Sequence, residues 1–204
     1  MLICYATSQS SKGRMLFPNW CKAQNIEVVE IFSKQELDKL IEQKPDLLIS
    51  DRFSSIFDNN WLATNEFPKF NVHPSLLPLH RGSFPIFWSA LLDSDWGVTI
   101  HEINSGIDEG PIVKQIEIPY QETWSFQDLY NLYRLKTQEL LREIVMDLCA
   151  GRGFISSPQP EIKGKVHKIK DSKPLVERLR NGWDTPIIAA RTDFAREISN
   201  YLGD

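Results

Sequence analysis

Two short stretches of the sequence hold residue types that do chemistry on a carbonyl. The first follows a brief apolar run and reads N-V-H-P-S-L-L-P-L-H-R-G from Asn71 to Gly82. Side chains alternate along an extended segment, so Asn71 and His73 share one face and Val72 takes the other. An amide and an imidazole on one face can both point at a single carbonyl oxygen, the donor set that an oxyanion needs. Pro74 and Pro78 restrict the backbone around them. The second stretch is D-E-G-P at Asp108–Pro111, with Gly106 and Gly110 on either side of the aspartate. It reads as a carboxylate presented on a tight loop, and near His73 it would raise the imidazole pKa and favour imidazolium. Each stretch also has a plain structural reading: a capping Asn beside a buried His, and a turn Asp.

The other candidates read more simply. His101 lies inside an alternating run, where a structural or surface role fits best. His80 and Arg81 belong to the first stretch; Arg81 suits either an anionic substrate group or a brace for the Asp108 loop. Phe84, Phe87, Trp88 and Trp96 read as core aromatics, with base stacking as the alternative.

The elements that would position these residues follow from periodicity. LICYAT (Leu2–Thr7), IEVVEIF (Ile26–Phe32) and DLLIS (Asp46–Ser50) are short, apolar and partly β-branched, which predicts buried strands. Between the last two, Ser33 suits an N-cap, Leu37, Leu40 and Ile41 share a helical face, and Pro45 lies just past the end. That strand–helix–strand unit predicts a parallel pair. FNV (Phe70–Val72) is a very short fourth run. GVTIHEI (Gly97–Ile103) and IVKQIEI (Ile112–Ile118) alternate, with a turn-rich loop between them. From Thr123 to about Ala150 apolar residues recur at three and four, capped by Thr123 or Ser125 and ended by Gly151. Beyond Gly153 the sequence turns polar, and one helix is expected at Lys173–Leu179. The reading is an α/β domain over residues 1–150, a Rossmann-like, mostly parallel sheet flanked by helices, followed by a short C-terminal appendage over 151–204. In such sheets the ligand sits beyond the carboxyl ends of the strands, where polar residues follow the apolar runs.

Composition narrows the function classes. The chain has 204 residues, a net charge of −4 and three cysteines, Cys4, Cys21 and Cys149. The cysteines are odd in number and widely spaced, which argues against a disulfide framework or a metal site and fits a cytoplasmic setting. No apolar run reaches the roughly 18 residues of a membrane span, and no basic segment precedes the apolar N-terminus. The mild acidity argues against a nucleic-acid backbone as partner, since that binding depends on an excess of Lys and Arg.

Taken together, NVHPSLLPLHRG and WGVTIHEINSGIDEGPIVKQ resemble the formyltransferases that use 10-formyltetrahydrofolate. That family pairs an Asn-x-His-Pro-Ser-Leu-Leu-Pro-x-x-Arg-Gly segment with a Gly-Val-Thr strand and an Asp-x-Gly loop. The resemblance covers most of residues 1–150. It implies that Asn71 bonds the formyl oxygen, that His73 as imidazolium adds charge stabilisation, and that Asp108 orients His73 and helps move the amine proton. It places the pterin of the formyl donor against Phe53, Ser54, Ser55, Ile56 and Phe57 and the loop holding Asn104 and Ile107, largely through backbone groups. Arg81 is the candidate for the acceptor, and no metal is implied.

Family members formylate methionyl-tRNA, glycinamide ribonucleotide or nucleotide-linked amino sugars, and a relative hydrolyses the formyl group. The tRNA enzymes add a barrel-type domain, and the chain's length and charge count against them, although SKGRMLFP (residues 11–18) is similar to that branch; the hydrolase normally begins with a regulatory domain, which is not expected here. GVTIHEI and the Lys-bearing KVHKIKD are most like the amino-sugar enzymes, so the expected partner is a small nucleotide-linked amine. In the family a strand and helix precede the unit matched to SKGR, so the chain is expected to start at the family's second strand or with a shortened first unit. A folate- or nucleotide-binding module without turnover is the non-enzymatic alternative. The aromatic and apolar tail (Trp183, Pro186–Ala190) suits a homodimer contact.

Overall fold

The computed structural model describes residues 1–11, 16–161 and 165–203; most of the SKGR segment lies outside them. The apolar runs become strands as their composition predicts: β1 (Leu2–Thr7), β2 (Glu27–Ile31), β3 (Leu47–Asp51), β4 (Lys69–His73), β5 (Gly97–Glu102) and β6 (Ile112–Glu117). They form one sheet in the order β2-β1-β3-β4-β5-β6. The first three pairings are parallel and the last two antiparallel. Every residue of β3 is buried, as expected of a parallel strand covered on both faces. The sequence predicts β2 and β3 as a parallel pair; they run parallel, but β1 lies between them.

Helices cover both faces: α1 (Leu16–Ala23), α2 (Lys34–Ile41), α3 (Asn59–Thr64), α4 (Pro85–Leu91) and α5 (Phe126–Cys149). Ser33 caps α2 by accepting the Glu36 N–H at 3.2 Å. Ser125 caps α5 in a reciprocal box with Asp128. Alternation along β1 sorts the core. Ile3 and Tyr5 join the larger cluster with Phe17, Phe87, Phe126 and Tyr133, while Cys4 and Ala6 join Leu37, Leu40 and Phe57 on the other face. Burial pushes the Cys4 and Cys21 thiols up to about 12. Phe87, Trp88 and Trp96 are core residues, as expected.

The C-terminal segment departs from the single helix expected at Lys173–Leu179. It forms α6 (Ile169–Val176), α7 (Ile187–Asp193) and α8 (Ala195–Leu202). Each is too short for a hydrophobic period to stand out, and Pro174 sits inside the first. Leu179, Ile187, Ala190 and Phe194 enter the larger core cluster, so this segment shares its core with residues 1–150. Among the described residues no helix is long and apolar enough to cross a membrane, and no group of three or more His, Cys, Asp or Glu could hold a metal ion.

Candidate active site

Sheet register brings the site together. β4 ends in Asn71 and His73, and the antiparallel β5 sets His101 opposite Asn71 and Thr99 opposite His73. Ser50, on the neighbouring β3, donates its hydroxyl to Asn71 Oδ1 at 2.9 Å. That bond fixes the amide, and Asn71 Nδ2 then faces Asp108 Oδ1 at 3.2 Å and His101 Nε2 at 3.1 Å. His101 Nδ1 lies 2.8 Å from the Glu102 carbonyl, so its proton sits there and Nε2 can accept from Asn71.

Asp108 reaches the same point from the β5–β6 loop. Its φ is +51°, a left-handed conformation uncommon outside glycine. The loop is held from both sides. A Cβ at Gly110 would collide with the Glu102 carbonyl, and Gln159 Nε2 donates to the carbonyls of Asp108 and Gly110 at 2.8 and 2.9 Å. Asp108 Oδ2 accepts the Gly82 N–H at 2.8 Å and lies 3.4 Å from His73 Nδ1. Burial alone would raise this carboxyl, but His73, His101 and the Gly82 N–H outweigh it and hold Asp108 well below the ordinary carboxylate range.

The sequence predicts an imidazolium-favouring His73. Its ring is buried, and that burial lowers its pKa even though Asp108 pulls the other way. His73 Nε2 lies 3.0 Å from the His80 carbonyl, so Nε2 carries the proton of the neutral ring. Nδ1 is the nitrogen turned to Asp108.

Asn71, His73 and Asp108 line a 640 Å³ cavity. Val72, Pro74, Phe84 and Ile86 give it apolar walls. Arg52, Gln127, Tyr130, Tyr133 and Trp183 line it as well. Sequence reasoning missed this second group. Arg52 follows β3 directly, so the search for polar residues after apolar runs had its signal; Trp183 comes from the tail, whose docking no local pattern encodes. His101 was also missed as a site residue, although its place opposite Asn71 follows once β4 and β5 are paired.

Of the residues expected against the donor, only Phe53 lines this cavity. Ile56 and Ile107 are 84% and 56% exposed. Ser54 is exposed and Ser55 half-buried. Phe57 is packed in the smaller core cluster. Asn104 accepts the Gly106 N–H and lines a separate 410 Å³ cavity. Arg81 lines that cavity too, and its guanidinium bonds Glu109 Oε1 at 2.5 Å, a brace beside Asp108.

Comparison with known proteins fits this geometry. A family model described as formyl transferase matches residues 14–145. The methionyl-tRNA formyltransferase of Bacillus subtilis is 29% identical over 149 residues, 72% of this chain and 47% of that protein. The one from Thermosipho melanesiensis is 30% identical over 207 residues, 94% of this chain and 66% of that protein. The chain thus spans about half to two thirds of the length of such curated relatives. Among solved structures, the formyltransferase PseJ of Anoxybacillus kamchatkensis is 28% identical with a TM-score of 0.80, covering 93% of this chain and 97% of its own. That protein was solved with UDP-4,6-dideoxy-4-formamido-L-AltNAc and tetrahydrofolate. An N-formyltransferase from Helicobacter canadensis, 19% identical, shares the fold with a TM-score of 0.72, covering 93% of this chain and 80% of its own.

Proposed function

The chain belongs to the formyl transferase family, and from that premise we propose that it moves a formyl group from 10-formyltetrahydrofolate to the amine of a nucleotide-linked amino sugar. The observation that carries the reading is the convergence of Asn71, His73 and Asp108 in the wall of the 640 Å³ cavity. The near full-length likeness to a formyltransferase solved with a formamido sugar nucleotide supports the acceptor class. The cavity's volume is in the range of small-molecule sites, and its walls are apolar with a few convergent polar groups.

Bound 10-formyltetrahydrofolate would supply the electrophilic formyl carbon. Asn71, its amide held by Ser50, turns Nδ2 toward the formyl oxygen and stabilises the charge that builds there. His73 acts through Nδ1, because its Nε2 proton is committed to the His80 carbonyl. A neutral Nδ1 accepts the proton lost by the attacking amine, directly or through water, and returns it to the folate N10 as the bond from N10 to the formyl carbon breaks; in between, Asp108 compensates the imidazolium. Asp108 stays ionised throughout, orienting the ring and compensating its charge. His101 completes the set by accepting from Asn71.

The purified protein, given 10-formyltetrahydrofolate and a panel of nucleotide-linked 4-amino and 3-amino sugars, is expected to release tetrahydrofolate with at least one of them. No release with any member overturns the acceptor class, and formate production without an amine identifies hydrolysis instead. The methionyl-tRNA relatives favour a second reading, formylation of methionyl-tRNA. It requires binding that weakens steeply with salt, so a flat salt profile rejects it.

A further inference from the structure

Arg52 stands in the wall of the cavity for reasons that none of the triad's chemistry explains. The sheet's order makes its location notable: the chain leaves β1 for β2 on one side and returns to β3 on the other, so the carboxyl ends of β1 and β3 form the topological switch point. Thr7 and Asp51 are register partners there, and Arg52 is the next residue. Its φ is +59°, a left-handed conformation that disfavours a non-glycine residue and turns the chain at the end of the strand. The side chain lines the cavity and is 28% exposed.

The guanidinium is pre-organised by residues behind it. Asp51 is fully buried, and the phenols of Tyr5 and Tyr133 donate to its two oxygens at 2.5 Å each. Asp51 Oδ1 is 3.6 Å from Arg52 Nε. Arg52 Nη1 donates to the Tyr130 hydroxyl, and Arg52 Cζ lies 5.2 Å from that ring's centroid. A planar fork of N–H donors, held by a carboxylate behind and an aromatic beside it, matches the oxygens of a phosphoryl group.

From the left-handed turn, the buried Asp51 counter-ion and the cavity position, we infer that Arg52 is a specificity-determining residue that grips a phosphoryl oxygen of the acceptor's nucleoside diphosphate. The inference rests on the acceptor class proposed above. Folate glutamyl carboxylates offer the same anionic chemistry. The acceptor is favoured because Arg52's neighbours in the cavity come from α5 and the tail, whereas only Phe53 of the expected donor residues is among them.

The test is calorimetric binding to the full chain, with uridine diphosphate and thymidine diphosphate as probes. Wild type is expected to bind at least one of them, Arg52→Gln to bind at least tenfold more weakly, and Arg52→Lys to fall between, since it keeps the charge without the fork. Tyr130→Phe, which removes the aligning hydroxyl, is expected to weaken binding severalfold and stands in should the Arg52 variants fail to fold. Binding by neither probe, or equal affinity in wild type and the folded variants, overturns the inference. Affinity for mono- and pentaglutamyl tetrahydrofolate is measured alongside. A loss in Arg52→Gln confined to the pentaglutamyl form assigns Arg52 to the donor and overturns the acceptor role. Nucleotide binding that depends on Arg52 without any formyl transfer sinks the catalytic reading while leaving this site in place.

Discussion

Asn71 and His73 play unequal parts in the proposed reaction, and the difference lies in their hydrogen bonds. Asn71 has its carbonyl tied to Ser50 and its amide nitrogen bonded to Asp108 and His101, and a formyl oxygen takes the place of Asp108 as acceptor in the proposed reaction. His73 has one nitrogen tied to a backbone carbonyl and one facing a carboxylate. Losing a single oxyanion donor typically slows acyl transfer by about a hundred- to a thousandfold, and losing a positioned general base by about a hundred- to ten-thousandfold. Asn71→Ala and His73→Ala are therefore each expected to lower kcat by at least about two decades while the KM for 10-formyltetrahydrofolate changes little. Steady-state kinetics decide it, and a near-wild-type kcat in either variant removes that residue from the mechanism. At this scale the sequence was legible where spacing carried the signal: two residues apart on a strand puts Asn71 and His73 on one face. It was silent on the protonation of His73, because burial is a property of the packed molecule and not of neighbours in the chain.

The Asn71–Gly82 segment and the tail meet at a short backbone ladder. His167 donates its N–H to the Arg81 carbonyl at 2.8 Å and accepts the Ser83 N–H at 2.9 Å, so Gly82 is clasped between them. Gly82 has φ +89°, and a Cβ there would strike the His167 carbonyl. Its own N–H is a ligand of Asp108. Gly82→Ala is expected to destabilise the fold by about 1–3 kcal/mol and lower kcat/KM together with it. Thermal melting reads the first effect, at about 2–4 °C per kcal/mol for a chain of this size. An unchanged Tm and rate would show that the clasp is dispensable. The strands and α5 were readable because their apolar residues recur with a clear period over enough residues. α3, α4, α6, α7 and α8 are all eight residues or fewer, and their stability comes from docking that local sequence does not record.

Across the whole molecule, three buried histidines make the fold answer to pH. Burial, followed by the neighbouring His73, brings His80 down to about 4. Burial, His80 and Lys165 bring His167 down to about 3, and burial lowers His73 too. Each folded value lies below the unfolded value near 6.5, so the unfolded chain takes up protons first as the pH falls. Stability is then full above about pH 6.5 and falls through the window toward pH 3–4, by about 1.4 kcal/mol per pH unit for each histidine. Denaturant midpoints at pH 7.5 and pH 5.0 test this, because carboxylates hardly titrate between them. Equal midpoints would mean that these rings take up protons as readily in the native state as in the unfolded chain. The packing behind this could not be foreseen from a tail read as a single helix, yet His167 stacks 4.4 Å from the Trp88 ring and Phe194 fills the core beneath. The His167–Gly82 clasp also sets a timetable. A chain leaves the ribosome from its N-terminus onward. Asn71, His73, His101 and Asp108 all emerge well before His167, so the nascent protein carries its reacting groups while the strut that steadies them is still unmade.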